Sequence, residues 1–201
     1  MSDVTREDWL KEAAKIMNKD ILSKHGTQLP EIWDVGVGFP SRPKAIGQAW
    51  DKKSSADKKT HQIFISPVLG NQDVVNLMQV LLHEMIHISV GIDQKHGGEF
   101  KRVARDVGLE GRLTATYVSS GTPLAEQLTN IVSEVTQKLG TPYPHKTLVP
   151  ELKEKKERAK SYVWAVSVSD PEFKVKMKKD VLEAYSLPFD AQGEQMEIVE
   201  E

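Results

Sequence analysis

Apolar and polar positions divide the chain into stretches of two different periods. From Thr5 to Leu22 the residues Trp9, Leu10, Ala13, Ala14, Ile16, Met17, Ile21 and Leu22 recur at helical spacing. Thr5 stands three residues before Asp8, close to a capping pattern, so this stretch predicts an amphipathic helix. Three short runs with strand character follow: Ile32–Phe39 alternating around two glycines, Ala45–Trp50 after the turn-like Pro40–Pro43, and His61–Ile65 after a charged loop. Together they predict a small, mostly antiparallel sheet.

The helical period returns after Pro67. Val74, Leu77, Met78, Leu81, Leu82, Met85 and Ile86 form an apolar stripe on a helix expected from an Asp73 cap to about Val90, with Gly91 beyond its end. Two further helices are expected over Gly98–Val107 and Pro123–Leu139, each followed by glycine. From Thr141 the pattern changes. Two prolines in TPYPH mark a boundary, and Pro150–Lys160 is dense in charge, as expected of a linker or solvated helix. Two strand-like runs, Tyr162–Val168 and Phe173–Met177, and a short helix near Asp180–Tyr185 follow. The domain expectation is therefore a main domain over residues 1–145, a charged segment over 146–160 and a β-rich C-terminal segment over 161–201.

Composition adds one decisive constraint. The 201 residues include no cysteine, which excludes a disulfide framework, Cys-ligated zinc, iron–sulfur clusters and thiol catalysis. Any metal must be held by histidine and carboxylate. The N-terminus lacks the apolar core of a secretory signal, and no run approaches membrane-spanning length, so a cytoplasmic protein without membrane attachment is expected. The net charge of −2 carries no global nucleic-acid signature.

Three of the six histidines fall together, His83, His87 and His96, in LLHEMIHISVGIDQKHGGEF. His83 and His87 are four apart on the expected helix, so both rings project from one face, one turn apart, at a spacing that lets two imidazoles bind one Zn²⁺. Glu84, beside the first ligand, can reach a water on the metal and serve as general base. A glycine turn then brings back His96 as a third ligand, which leaves one position open, the geometry of a catalytic zinc. Two other readings stand beside this one: ordinary surface histidines, or zinc bound without turnover. His25, His61 and His145 read as turn or strand residues outside the site, and Lys95 and Glu99 as solvated loop charges. Tyr117 lies downstream, where some zincins place a donor for the tetrahedral intermediate, but sequence alone does not place its hydroxyl.

The run HEMIHISVGIDQKHGGEFKRVARDVGLEG resembles the SprT-like zinc metallopeptidases, a family that includes the Spartan-type DNA–protein crosslink proteases. VGVGFPSR, AIGQAW and HQIFISP upstream, and LTAT and LGTPYPH downstream, are similar to segments of phage and bacterial members. The resemblance implies a zincin-like α+β fold, one zinc per chain on His83, His87 and His96, Glu84 as catalytic residue, and a protein substrate. A catalytically silent, zinc-stabilised binding module is the alternative. Many relatives carry a C-terminal zinc ribbon; here Tyr162–Glu197 has its rhythm without its thiolates. Ser167 and Asp170 stand at C-x-x-C spacing, which implies a metal-free relic. A nucleic-acid patch at Lys174–Lys179 competes with a solvated face balanced by the acidic tail. The oligomeric state is open.

Overall fold

A computed structural model describes residues 4–42, 45–69, 74–142 and 162–199. The chain divides into two compact units, Met1–Pro150 and Glu151–Glu201. The charged segment expected over residues 146–160 lies outside the described residues, as does the Asp73 cap. Five α-helices and three small sheets occur among the described residues, an α+β architecture. None of those helices is long and apolar enough to cross a membrane.

In the first unit, α1 (Arg6–Asp20) starts at a capping box: the Thr5 hydroxyl accepts from Asp8 N at 3.1 Å, and Thr5 N donates to the Asp8 carboxylate at 3.2 Å. The predicted stripe (Trp9, Leu10, Ala13, Ala14 and Met17) is buried. Strands β1 (Trp33–Val37), β2 (Gly47–Trp50) and β3 (His61–Ile65) form a sheet in the order β1-β3-β2. Here the expectation of a mostly antiparallel sheet needs correction. β2 and β3 make an antiparallel hairpin, but β1 pairs parallel with β3, in the register Trp33↔His61 to Val37↔Ile65. The chain leaves β1, crosses β3's position to lay down β2, then returns through the charged loop. β3 therefore runs alongside β1 in the same direction.

Helix α2 (Val74–Val90) is the hub of the unit and packs on α1, β2 and β3. Leu77, Met78, Leu81, Leu82, Met85 and Ile86 are nearly or fully excluded from water, joining Ile63 and Ile65 of β3 in one core. A helix this apolar is stable only when covered on most sides. α3 (Gly98–Asp106) and α4 (Pro123–Leu139) supply that cover through Phe100, Val103, Leu128 and Ile131. Between them lies a hairpin that the sequence pattern does not predict, β4 (Glu110–Arg112) and β5 (Ala115–Tyr117), closed by a two-residue turn at Leu113 and Thr114.

The second unit is a three-stranded antiparallel sheet in the order β7-β6-β8, from β6 (Tyr162–Val166), β7 (Lys174–Lys178) and β8 (Glu197–Val199), with helix α5 (Lys179–Ala184) after β7. Val163 and Ala165 of β6 and Met196 are its buried apolar residues. Ser167 is 2% exposed, and its hydroxyl donates to Asp190 Oδ2 at 2.7 Å while accepting from Asp170 N at 3.1 Å. Asp190 Oδ1 accepts from the backbone of Gln192 at 3.0 Å and of Glu194 at 2.9 Å. A hydrogen-bonded carboxylate thus ties two loops together.

Candidate metal centre

His83, Glu84 and His87 sit in the last three turns of α2, where the helix fixes their relative directions. Getting from His87 to His96 requires a sharp reversal. Gly91 provides it at φ +99°, where a side chain is strained and a Cβ would also meet the Asp93 carboxylate at 2.8 Å. A single 3-10 turn, Ile92–Gln94, and Lys95 at φ 50° complete the return.

The three histidines converge. One nitrogen from each ring lies within 4.8 Å of the other two, a set that could hold a metal ion. His83 Nε2 and His96 Nε2 face one another at 3.4 Å. Two nitrogens bound to one tetrahedral zinc at its usual bond length stand about 3.3–3.4 Å apart, so this spacing suits a shared ion. Phe100 is fully buried beneath all three rings: it stacks on His87 at 4.3 Å and meets His83 and His96 at 5.0 Å each. This aromatic floor restricts the rings' tilt and keeps water from one side of the cluster.

The electrostatics favour neutral imidazoles, the form that ligates metal. Burial, and then the neighbouring His96, pulls His83 down to about 4. Burial followed by His83 and His96 takes His87 to about 3. His96 is also lowered, by burial first and then by the Arg42 charge. Glu84 moves the other way. It is 7% exposed, and burial pushes its carboxyl up to about 8, opposed by a hydrogen bond from the Ala49 backbone N–H. A cation nearby would draw this carboxyl back toward its ionised form.

Glu84 owes its place to β2. A Cβ on Gly47 would lie 2.7 Å from Glu84 Oε1 and 2.7 Å from Val80, so only glycine lets this strand approach α2 so closely. Gly47, His83, Glu84 and Thr116 line a cleft of about 260 Å³. A larger cavity of about 660 Å³, between α2, the end of β5 and α4, shares Gln79 with it.

The other sequence expectations sort plainly. His61 is, as expected, a strand residue outside the cluster, half-buried, with its Nδ1 enclosed and without a hydrogen-bond partner among the described residues. His25 ends a 3-10 turn away from the cluster, and His145 lies outside the described residues. Lys95 is exposed, and exposed Glu99 pairs with Arg102 at 2.6 Å. Tyr117 is half exposed and lines the larger cavity; it is Thr116, its neighbour on the strand, that meets His83. Sequence reasoning gave no role to Phe100, Thr116, Gln79, Gly47 or Ala49. Phe100 lies within the HGGEFK part of the family-like run, Gly47 and Ala49 within AIGQAW and Thr116 within LTAT, while Gln79 lies outside all of these segments.

Comparison with known proteins is consistent with this geometry. No curated protein and no solved structure matches the chain. The model of the SprT-like family matches residues 18–119, just over half of the length, and includes every residue of the histidine cluster and its cleft. The chain belongs to the SprT-like family.

Proposed function

We propose that this chain is a zinc-dependent endopeptidase with a zincin-like catalytic unit, acting on protein substrates in the cytoplasm. The observation that carries the reading is the convergence of nitrogens from three neutral histidines within 4.8 Å, two of them on the helix that also carries a buried carboxyl. His83, His87 and His96 would hold the ion, leaving one position for chemistry. Zinc bound there supplies Lewis-acid polarisation of a scissile carbonyl and acidifies water. Glu84 takes the proton of the attacking water onto its carboxylate and returns it to the leaving amine. A cation held by the three histidines would keep this buried carboxyl ionised and ready to accept the proton. β2 lies at the edge of its sheet and borders the cleft through Gly47, so an extended peptide can pair along it with little side-chain selectivity.

Replacing Glu84 by Gln keeps the carboxyl's shape and removes its proton chemistry. That variant should retain one zinc per chain and lose cleavage of casein or histone. Cutting at the parental rate would sink the mechanism. Intact substrate with the parent protein, together with stoichiometric zinc and a melting temperature that falls on chelation, would instead favour a silent zinc-stabilised module.

The second unit favours substrates associated with single-stranded nucleic acid. On one face of its sheet, Lys174 Nζ stands 5.5 Å from the Trp164 ring, and Lys176 Nζ lies 5.5 Å from Tyr162 and 5.7 Å from Trp164. Alternating aromatic rings and cations are what stacked bases and phosphates require. Binding to a fluorescent oligonucleotide should weaken steeply with salt, and neutralising Lys174, Lys176, Lys178 and Lys179 should flatten that slope. Affinity indifferent to salt and to these lysines would refute the role.

A further inference from the structure

Three uncharged polar side chains run in a line away from His83. Gln79, one helical turn before it on α2, is only 4% exposed. Its Nε2 donates to Asn76 Oδ1 at 2.8 Å. On its other side, the Thr116 hydroxyl donates to Gln79 Oε1 at 3.4 Å. Thr116 Oγ1 in turn lies 3.0 Å from His83 Nδ1.

The direction of every proton in this line follows from the amide orientations in the structure. An amide nitrogen can only donate, and Gln79 turns its nitrogen toward Asn76 Oδ1. Gln79 then presents its oxygen to Thr116, and an amide oxygen can only accept. The single hydroxyl proton of Thr116 is spent on Gln79. What Thr116 offers His83 is therefore a lone pair, and Nδ1 must carry the proton. A neutral imidazole has one N–H, so the lone pair of His83 stands on Nε2, the atom that faces His96 Nε2 at 3.4 Å.

We infer that Thr116 and Gln79 are positioning residues for the metal: they hold His83 in its Nδ1–H tautomer and aim Nε2 at the ion. This inference rests on the metallopeptidase reading given above. It also explains two features that packing alone does not. A buried amide is costly unless both ends are satisfied, and here each end is satisfied in the sense that orients a ligand. The short β4–β5 hairpin contributes little to the core, but it delivers the Thr116 hydroxyl to the back of the ring. Outer partners of this kind typically change metal affinity by about 10–100-fold when removed.

The test compares Thr116→Val, which keeps the volume and loses the hydroxyl, with Thr116→Ser, which restores it, and with Gln79→Met. Zinc affinity is measured by competition with a chromophoric chelator on protein whose fold is checked by circular dichroism. Ligand geometry is read from the visible absorption of the Co²⁺-substituted forms. Thr116→Val should bind zinc about 10–100-fold more weakly with altered Co²⁺ bands, Thr116→Ser should return both toward the parent, and Gln79→Met should shift affinity in the same direction by less. A folded Thr116→Val with parental affinity and spectrum overturns the inference. If Thr116→Val does not fold, Gln79→Met at parental affinity overturns it instead. A parent protein that binds no zinc defeats the metallopeptidase reading, and the inference with it. A zinc-binding parent with an indifferent relay defeats the inference alone.

Discussion

The two units solve one problem, fastening loops that cannot pack, by different chemistry. In the first, three imidazoles gather at and beyond the end of α2, with one nitrogen from each within 4.8 Å of the others, a set that could hold a metal ion. In the second, a carboxylate does the gathering. Asp190 receives the hydroxyls of Ser167 and Ser169 on one oxygen and two backbone N–H groups on the other. The first arrangement could take up an ion, and the proposed chemistry depends on its doing so. The second satisfies itself and can only hold. Position relative to sequence tells the same story, because Ser167 and Asp170 occupy C-x-x-C spacing while their atoms form a hydrogen-bonded turn.

Removing zinc breaks the comparison most visibly. With free zinc a thousandfold above its dissociation constant, binding contributes about 4 kcal/mol to the folded state. A chelator should lower the melting temperature of the first unit by roughly 10 °C and leave the second unchanged. Amide resonances of Gln192 and Glu194 report the second unit separately. If they shift on chelation, the second unit is not metal-independent.

Gly47→Ala probes the catalytic side with the metal in place. The added Cβ would fall 2.7 Å from Glu84 Oε1, so the carboxyl or the strand must move. Cleavage should drop on the order of 100-fold while zinc content stays at one per chain. Parental kcat/KM would mean that Glu84 needs no such placement.

Ser167→Ala removes the hydroxyl linking Asp170 N to Asp190, and should cost the second unit about 1–2 kcal/mol in urea titrations without touching cleavage of casein. Acid probes the same tie. Hydrogen bonds, that from Ser167 first, hold the Asp190 carboxyl below its ordinary value of 3.8. A depressed carboxylate favours folding above that value and loses its contribution as pH falls through the lower, folded-state one. The Gln192 and Glu194 signals should collapse below about pH 4, and in Asp190→Asn that acid dependence should vanish.

Thr5→Ala gives the smallest change, about 1 kcal/mol, from loss of the α1 cap. It lies in the unit that carries the histidines, so zinc affinity unchanged in this variant separates general destabilisation from damage to the ligands.

Much of this was legible before any coordinates, for a definite reason. A helix fixes direction from local spacing, so the four-residue separation of His83 and His87 implies a shared face, and α3 and α4 begin where glycine and proline signals put them. The glycine at position 91 foretold the reversal toward His96. What stayed hidden was delivered from a distance. β4 and β5 are three residues each, largely exposed and without apolar alternation, so nothing marks them as strands. The parallel pairing of β1 and β3 depends on where an intervening strand is laid down, which no local pattern records. Gly47 and Ala49 precede Glu84 by more than thirty residues, and only the fold brings them to its carboxyl. The relay through Thr116 and Gln79 was invisible for the same reason.

The Asp190 tie changes the chain's demands on its surroundings. With Ser167 and Asp170 at C-x-x-C spacing and no cysteine in the sequence, nothing in this chain can be oxidised to a disulfide or sulfenic acid, and one equivalent of zinc per chain is expected. Peroxide stress would leave this tie intact, and, if the first unit acts as proposed, scarcity of zinc would silence it while the second kept its shape.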